Sequence, residues 1–229
     1  MSSLFTAEGI KDLILWVPVI LLSISFHECA HAWMAYRLGD STAKDEGRLT
    51  LNPISHFNLF GFLMMVIVHF GWATPVPVNP NNFRNPSKGM LYTALAGPVS
   101  NLILAVASSF LYMVVLVIGT HMPTESELMY EILSNFLRIL LYMMMLNIGL
   151  AIFNLIPVYP LDGSRVLTYF LPVQYNNFMV RYGQYIQIGF LLLVMLTSVV
   201  GNLVGVVQGS IANLLISLWT KLFKLLNLL

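Results

Sequence analysis

The chain has 229 residues, 58% hydrophobic and only 9% charged, with a mean hydropathy of +0.79. These values describe a polytopic membrane protein and exclude an ordinary soluble domain. A formal net charge of +1 leaves no basic excess for nucleic acid, and a single cysteine, Cys29, excludes an intrachain disulfide framework. Cys29 reads as a small apolar filler.

The first predicted span covers about Asp12 to Tyr36. It reads as retained rather than cleaved, because Met1 to Lys11 has no basic n-region and no small-residue cleavage site follows a short apolar core. A polar loop, Arg37 to Arg48, and an extended stretch from Leu49 to Pro53 come next. Phe57 to Trp72 is apolar but about 16 residues long, short of the roughly 20 that a spanning helix needs. Ala73 to Pro80, with prolines at 75, 77 and 80, cannot be helix and predicts extended strand or loop. Further spans are predicted at about Met90 to Ile118, Ile132 to Ile156 and Gln184 to Val207. In the tail, Ser210 to Leu229, polar residues recur mostly every three or four positions. That pattern predicts an amphipathic helix lying in the interface, with a fifth span as the alternative.

The fold class is therefore an all-α polytopic membrane protein. A three-helix core is joined by one further transmembrane helix and a C-terminal amphipathic helix. A re-entrant or β-hairpin segment lies between spans one and two. The chain reads as one integral membrane domain over 1–229, with its core at about 12–166 and the last span and helix at about 184–229. If Phe57–Trp72 does not cross, the loop cations Arg37, Lys44, Arg48, Arg84, Lys88, Arg165 and Arg181 share one side. The positive-inside rule makes that side cytoplasmic and puts the N-terminus outside.

The chemistry concentrates in His27-Glu28-Cys29-Ala30-His31, in the second half of the first apolar run. Histidines four apart lie on one face of a helix and can reach one tetrahedral zinc ion, with the intervening Glu28 as general base on a zinc-bound water. A carboxylate inside a span is costly, which points to function rather than packing. A catalytic zinc usually takes three protein ligands and leaves one position open. After Glu131, Asp162 is the only acidic residue in the chain, and it sits at the end of the third span. If Phe57–Trp72 turns back, spans one and three run in the same direction and Asp162 emerges on the side of the histidines. His56 and His69, which bracket the short apolar segment, remain alternatives. His121 belongs to the far side. Asn101 and Asn154 fall at about the depth of the metal. Each suits either an oxyanion or substrate-backbone contact or a helix–helix hydrogen bond. Asn147, about two turns deeper, reads as packing.

Three stretches together resemble the site-2 protease family of intramembrane zinc metalloproteases. They are Phe26 to His31, Ala96-Gly97-Pro98-Val99-Ser100-Asn101, and Phe153 to Gly163 with its Asn154 and Asp162-Gly163 pair. The resemblance is to a small member, with nothing like a PDZ or CBS domain. It implies a single zinc ion bound by His27, His31 and Asp162, with Glu28 as catalytic base. It also links Asn101 and Asn154 to the active site or substrate, and Gly71 to Pro80 to a membrane-associated hairpin. The implied activity is regulated intramembrane proteolysis in a lipid bilayer, on a membrane protein substrate with a transmembrane helix. Two positions depart from the family pattern: Ser164 stands where a second glycine often follows Asp-Gly, and Phe57-Asn58-Leu59-Phe60 replaces a common Asp-Pro pair. A metal transporter or a non-catalytic metal scaffold is the rival reading, disfavoured by the lack of polar spans or related halves and by an intact Glu28.

Overall fold

In lipid a backbone must satisfy its hydrogen bonds internally, so an apolar chain of this kind folds as helices. The computed structural model describes residues 6–68, 71, 73–121 and 126–228; among them lie eight α-helices and no β-strand. Five helices are long and apolar enough to cross a membrane.

Helix α1 (Ala7–Arg37) starts on the Thr6 side chain, which accepts from Gly9 N–H at 3.1 Å, and carries Glu8 in its first turn and Arg37 in its last. A capped N-terminus and charges matched to the helix dipole fix both ends. A short helix, α2 (Thr42–Asp45), follows. Helix α3 (Leu59–Val68) has ten residues, a length of about 15 Å, roughly half the hydrocarbon thickness. The described part of this segment is thus shorter than a full crossing. Residues 73–79 are extended without a ladder partner, so the hairpin expected here is not a feature of the described residues. The prolines at 75 and 77 remove two of the N–H groups a ladder needs.

Helices α4 (Pro86–His121) and α5 (Glu127–Asn154) complete the three-helix core. The buried residues of α4 include Ala94, Ala96, Gly97, Ala105, Ser108 and Ser109. Small side chains let backbones approach closely where no hydrophobic drive holds membrane helices together. Contacts fix the directions. His27 meets Asn101 and His31 meets Thr93, so α1 and α4 are antiparallel. Asp12 pairs with Arg138 at 3.0 Å, Lys11 with Glu131 at 3.2 Å, and Ser23 accepts from Asn147 at 2.8 Å, so α1 and α5 are parallel. The C-terminal ends of α1 and α5 thus share one end of the bundle, where α6 (Asp162–Phe170) begins.

The C-terminal region departs from the sequence expectation. The chain breaks at Thr197–Ser198, giving α7 (Val173–Leu196) and α8 (Val199–Leu225), rather than a span to 207 and a separate interfacial helix. The tail's polar stripe marks the exposed face of α8, on which Ser210, Asn213 and Ser217 lie. The opposite face packs on α4 and α5: Ala212 joins Ala105, Met144 and Ile148 in one cluster, and Phe223 joins Met113 and Val117 in another. Gln208 donates to the Met145 carbonyl at 2.7 Å and Trp219 Nε1–H to Ser109 at 2.8 Å. A helix bundle creates the same two-faced pattern as a membrane surface.

The parallel pairing of α1 and α5 predicts that cysteines replacing Lys11 and Glu131, in a Cys29→Ala background, join within one chain through a short bifunctional maleimide. Absence of that intramolecular product would contradict the pairing.

Candidate metal centre

The site is built where α1, α4 and the start of α6 meet. Helical spacing stacks His27 and His31, whose Nε2 atoms lie 3.0 Å apart. Asp162, the first residue of α6, brings Oδ2 to 3.3 Å from both. All three side chains are nearly buried, at 10–13% exposure.

The protonation of both imidazoles follows from their outer partners. His31 Nδ1 lies 2.6 Å from the Thr93 carbonyl, which can only accept, so this nitrogen donates. For His27 the direction is set three residues away. Asn147 Nδ2 donates to the Met143 carbonyl at 2.8 Å, which fixes that amide's orientation. Asn147 Oδ1 then accepts from Asn101 Nδ2 at 2.7 Å, leaving Asn101 Oδ1 to accept from His27 Nδ1–H at 2.6 Å. A neutral imidazole that donates from Nδ1 presents a lone pair at Nε2. Two Nε2 lone pairs and Asp162 Oδ2, a buried oxygen with no hydrogen-bond donor, therefore face one point. Three convergent acceptors in a low-dielectric site repel one another unless a proton or a cation lies between them.

The donor set and spacing fit zinc. Tetrahedral zinc with bonds of about 2.0–2.1 Å holds neighbouring ligand atoms about 3.3 Å apart, close to the distances above. Two glycines make the approach possible. A Cβ on Gly97 would fall on both imidazoles, and a Cβ on Gly163 would fall on the carbonyls of Leu155 and Ile156.

Glu28 lies beside the cluster, and its Oε2 accepts from Val76 N–H at 3.0 Å. A cavity of about 530 Å³ opens in front of the three ligands and Glu28. Asn154 lines it, as do Phe153, Tyr159, Arg165 and, from α7, Gln187 and Phe190. Asn154 itself donates to the Leu150 carbonyl at 3.0 Å. Asn101 is 0% exposed and faces the rear of His27, away from any substrate. It stands behind His27 as an outer hydrogen-bond partner and is not among the residues that line the cavity. Asn147, read from sequence as packing, is the next link of the same chain. Thr93 and Val76 act through backbone atoms, which leave no mark in a sequence.

The other histidines lie elsewhere. His56 is buried and donates from Nε2 to the Thr50 carbonyl at 2.9 Å, and His121 bonds within the end of α4. Neither belongs to the cluster formed by His27, His31 and Asp162. His69 lies outside the described residues.

If Asn101 orients His27, Asn101→Ala lowers zinc affinity by about 10–100-fold in a chelator competition titration, with activity recovering at saturating zinc. Unchanged affinity with a lower turnover at saturation would instead give Asn101 an oxyanion role.

Comparison with known proteins gives a family and two relatives. Residues 16–196 match the sequence pattern described as Peptidase family M50. A Bacillus subtilis (strain 168) protein named "Putative zinc metalloprotease YwhC" is 40% identical over 177 residues, 77% of this chain and 78% of that protein. A Mycolicibacterium smegmatis protein named "Putative zinc metalloprotease Rip2" is 34% identical over 92 residues, 38% of this chain and 35% of its own length. No solved structure matches the chain. The pattern takes in the whole metal cluster and four of the five candidate spans, and the chain belongs to Peptidase family M50.

Proposed function

We propose that this chain is a zinc metalloprotease that hydrolyses peptide bonds in or near transmembrane segments of membrane proteins, the chemistry of regulated intramembrane proteolysis. The carrying observation is the convergence of His27 Nε2, His31 Nε2 and Asp162 Oδ2 beside Glu28, inside a bundle of membrane-length helices.

His27, His31 and Asp162 would hold the ion. Bound zinc supplies Lewis acidity at the scissile carbonyl and a water whose pKa falls to about 7. Glu28, held through Oε2 by the Val76 N–H, would serve as the base that accepts a proton from the attacking water and returns it to the leaving amine, a role typically worth about 10²–10⁴-fold. Asn101 and Thr93 hold the two imidazoles with Nε2 inward. Asn154 lies on the cavity wall, where its amide can meet a substrate backbone. A helical peptide bond is shielded by its own hydrogen bonds, so the substrate must enter extended. Ala73, Pro75, Val76 and Val78 line the same cavity, so an extended substrate would lie against this stretch. The parallel run of α1 and α5 supports placing Arg37, Lys44, Arg48, Arg84, Lys88 and Arg165 at the end of the bundle that holds the site. By the positive-inside rule that end is cytoplasmic, with the N-terminus outside.

The test is cleavage of membrane-spanning peptides in liposomes. Wild type should cut them and lose the activity to a zinc chelator. Glu28→Gln should keep one zinc per chain yet cut at least about 10²-fold more slowly. Chelator-insensitive cutting, or full activity in Glu28→Gln, would overturn the proposal.

A further inference from the structure

The extended segment beside Glu28 is pinned at both ends by two charged side chains that lie outside the cavity. At its start, Arg48 Nη2 donates to the Thr74 carbonyl at 2.6 Å and reaches the Pro75 carbonyl at 3.4 Å. Thr74 is held further by its N–H to the His56 carbonyl at 3.0 Å and its hydroxyl to the Phe57 carbonyl at 3.1 Å. At the segment's end, Asp40 Oδ2 accepts from Asn79 N–H at 2.8 Å, and Asp40 Oδ1 accepts from Asn82 Nδ2 at 2.8 Å. Asp40 is 0% exposed, and its carboxylate also takes the N–H and hydroxyl of Thr42. A buried carboxylate tolerates burial only when its lone pairs are filled in this way. Burial works against its charge, but these hydrogen bonds outweigh it and hold Asp40 below the usual carboxylate range.

Between the two anchors lie Pro75, Val76, Pro77 and Val78. The prolines fix φ, which makes the segment stiff, and leave Val76 and Val78 as its only N–H donors. The Val76 N–H is spent on Glu28. A stiff strip held at both ends places that one amide where the carboxylate needs it.

We propose that Arg48 and Asp40 are positioning residues of the reaction. From the loop after α1 they clamp residues 74–79 at both ends, so that Val76 N–H holds Glu28 at a fixed angle to the cavity. The inference rests on Glu28 acting as base, as proposed above. Arg48 reaches both adjacent carbonyls through one nitrogen, Nη2, so its hold on the segment is concentrated at the Thr74 carbonyl.

The test is a double-substitution cycle on kcat in the zinc-loaded protein. Val76→Pro deletes the amide N–H in a segment that its neighbouring prolines already hold extended. Arg48→Ala should lower kcat about 10–100-fold, the effect of a small misplacement at a reacting group, with KM little changed and one zinc per chain retained. Val76→Pro should lower kcat similarly, and the double variant should be no slower than either single one, since both remove the same contact. Asp40→Ala should follow the same pattern. Where Arg48→Ala does not accumulate, Arg48→Lys should give an intermediate loss. A double variant whose losses multiply, or Arg48→Ala at wild-type kcat, overturns the proposal. Hydrogen exchange separates this from failure of the protease reading: Arg48→Ala should speed exchange at the Val76 amide whether or not the wild type cleaves peptides. Val76 exchange as slow as in wild type would refute the clasp even if activity fell.

Discussion

Three lone pairs aimed at one point inside a membrane bundle are the constraint to which the rest of this structure answers. Each is fixed from behind. The Thr93 carbonyl sets His31, and a chain of amides from Met143 through Asn147 and Asn101 sets His27. Asp162 is set by the start of α6, which Gly163 allows to lie against the end of α5. The absence of a side chain at Gly97 is part of the same arrangement, because any Cβ would displace the imidazoles.

Topology follows from that point as well. The ligands come from α1 and from the chain leaving α5, so both helices must deliver their C-terminal ends to the same end of the bundle. Helix α4, antiparallel to α1, is the crossing that lies between the segment after α1 and the start of α5. The irregular stretch from 73 to 79 then lies against the cavity, where a backbone outside regular structure is tolerated and where its one engaged amide can reach Glu28. Helix α7 supplies the remaining wall through Gln187 and Phe190.

How much of this a reader of the sequence could see depends on whether side chains or backbone carry the contact. The spacing of His27 and His31 and the isolation of Asp162 in a charge-poor chain are written in residue types, and the structure brings those three together. Asn101 was visible as a polar residue at the right depth, but its direction was not: whether an amide faces the substrate or the rear of a ligand depends on the neighbouring helix. The tail misled for a related reason, because the polar stripe through Ser210, Asn213 and Ser217 says that one face is apolar without saying what covers it. The Thr93 carbonyl and the Val76 amide leave no signal at all, and the anchors Arg48 and Asp40 look like ordinary loop charges until their partners are known.

The central claim is the identity of the three ligands, and X-ray absorption at the zinc edge of the purified, zinc-loaded protein tests it most directly. The account predicts one zinc per chain in a shell of nitrogen and oxygen only, with outer scattering from two imidazoles, and loss of that signature in Asp162→Ala. A sulfur shell from Cys29, a third imidazole, or an unchanged spectrum in Asp162→Ala would contradict it.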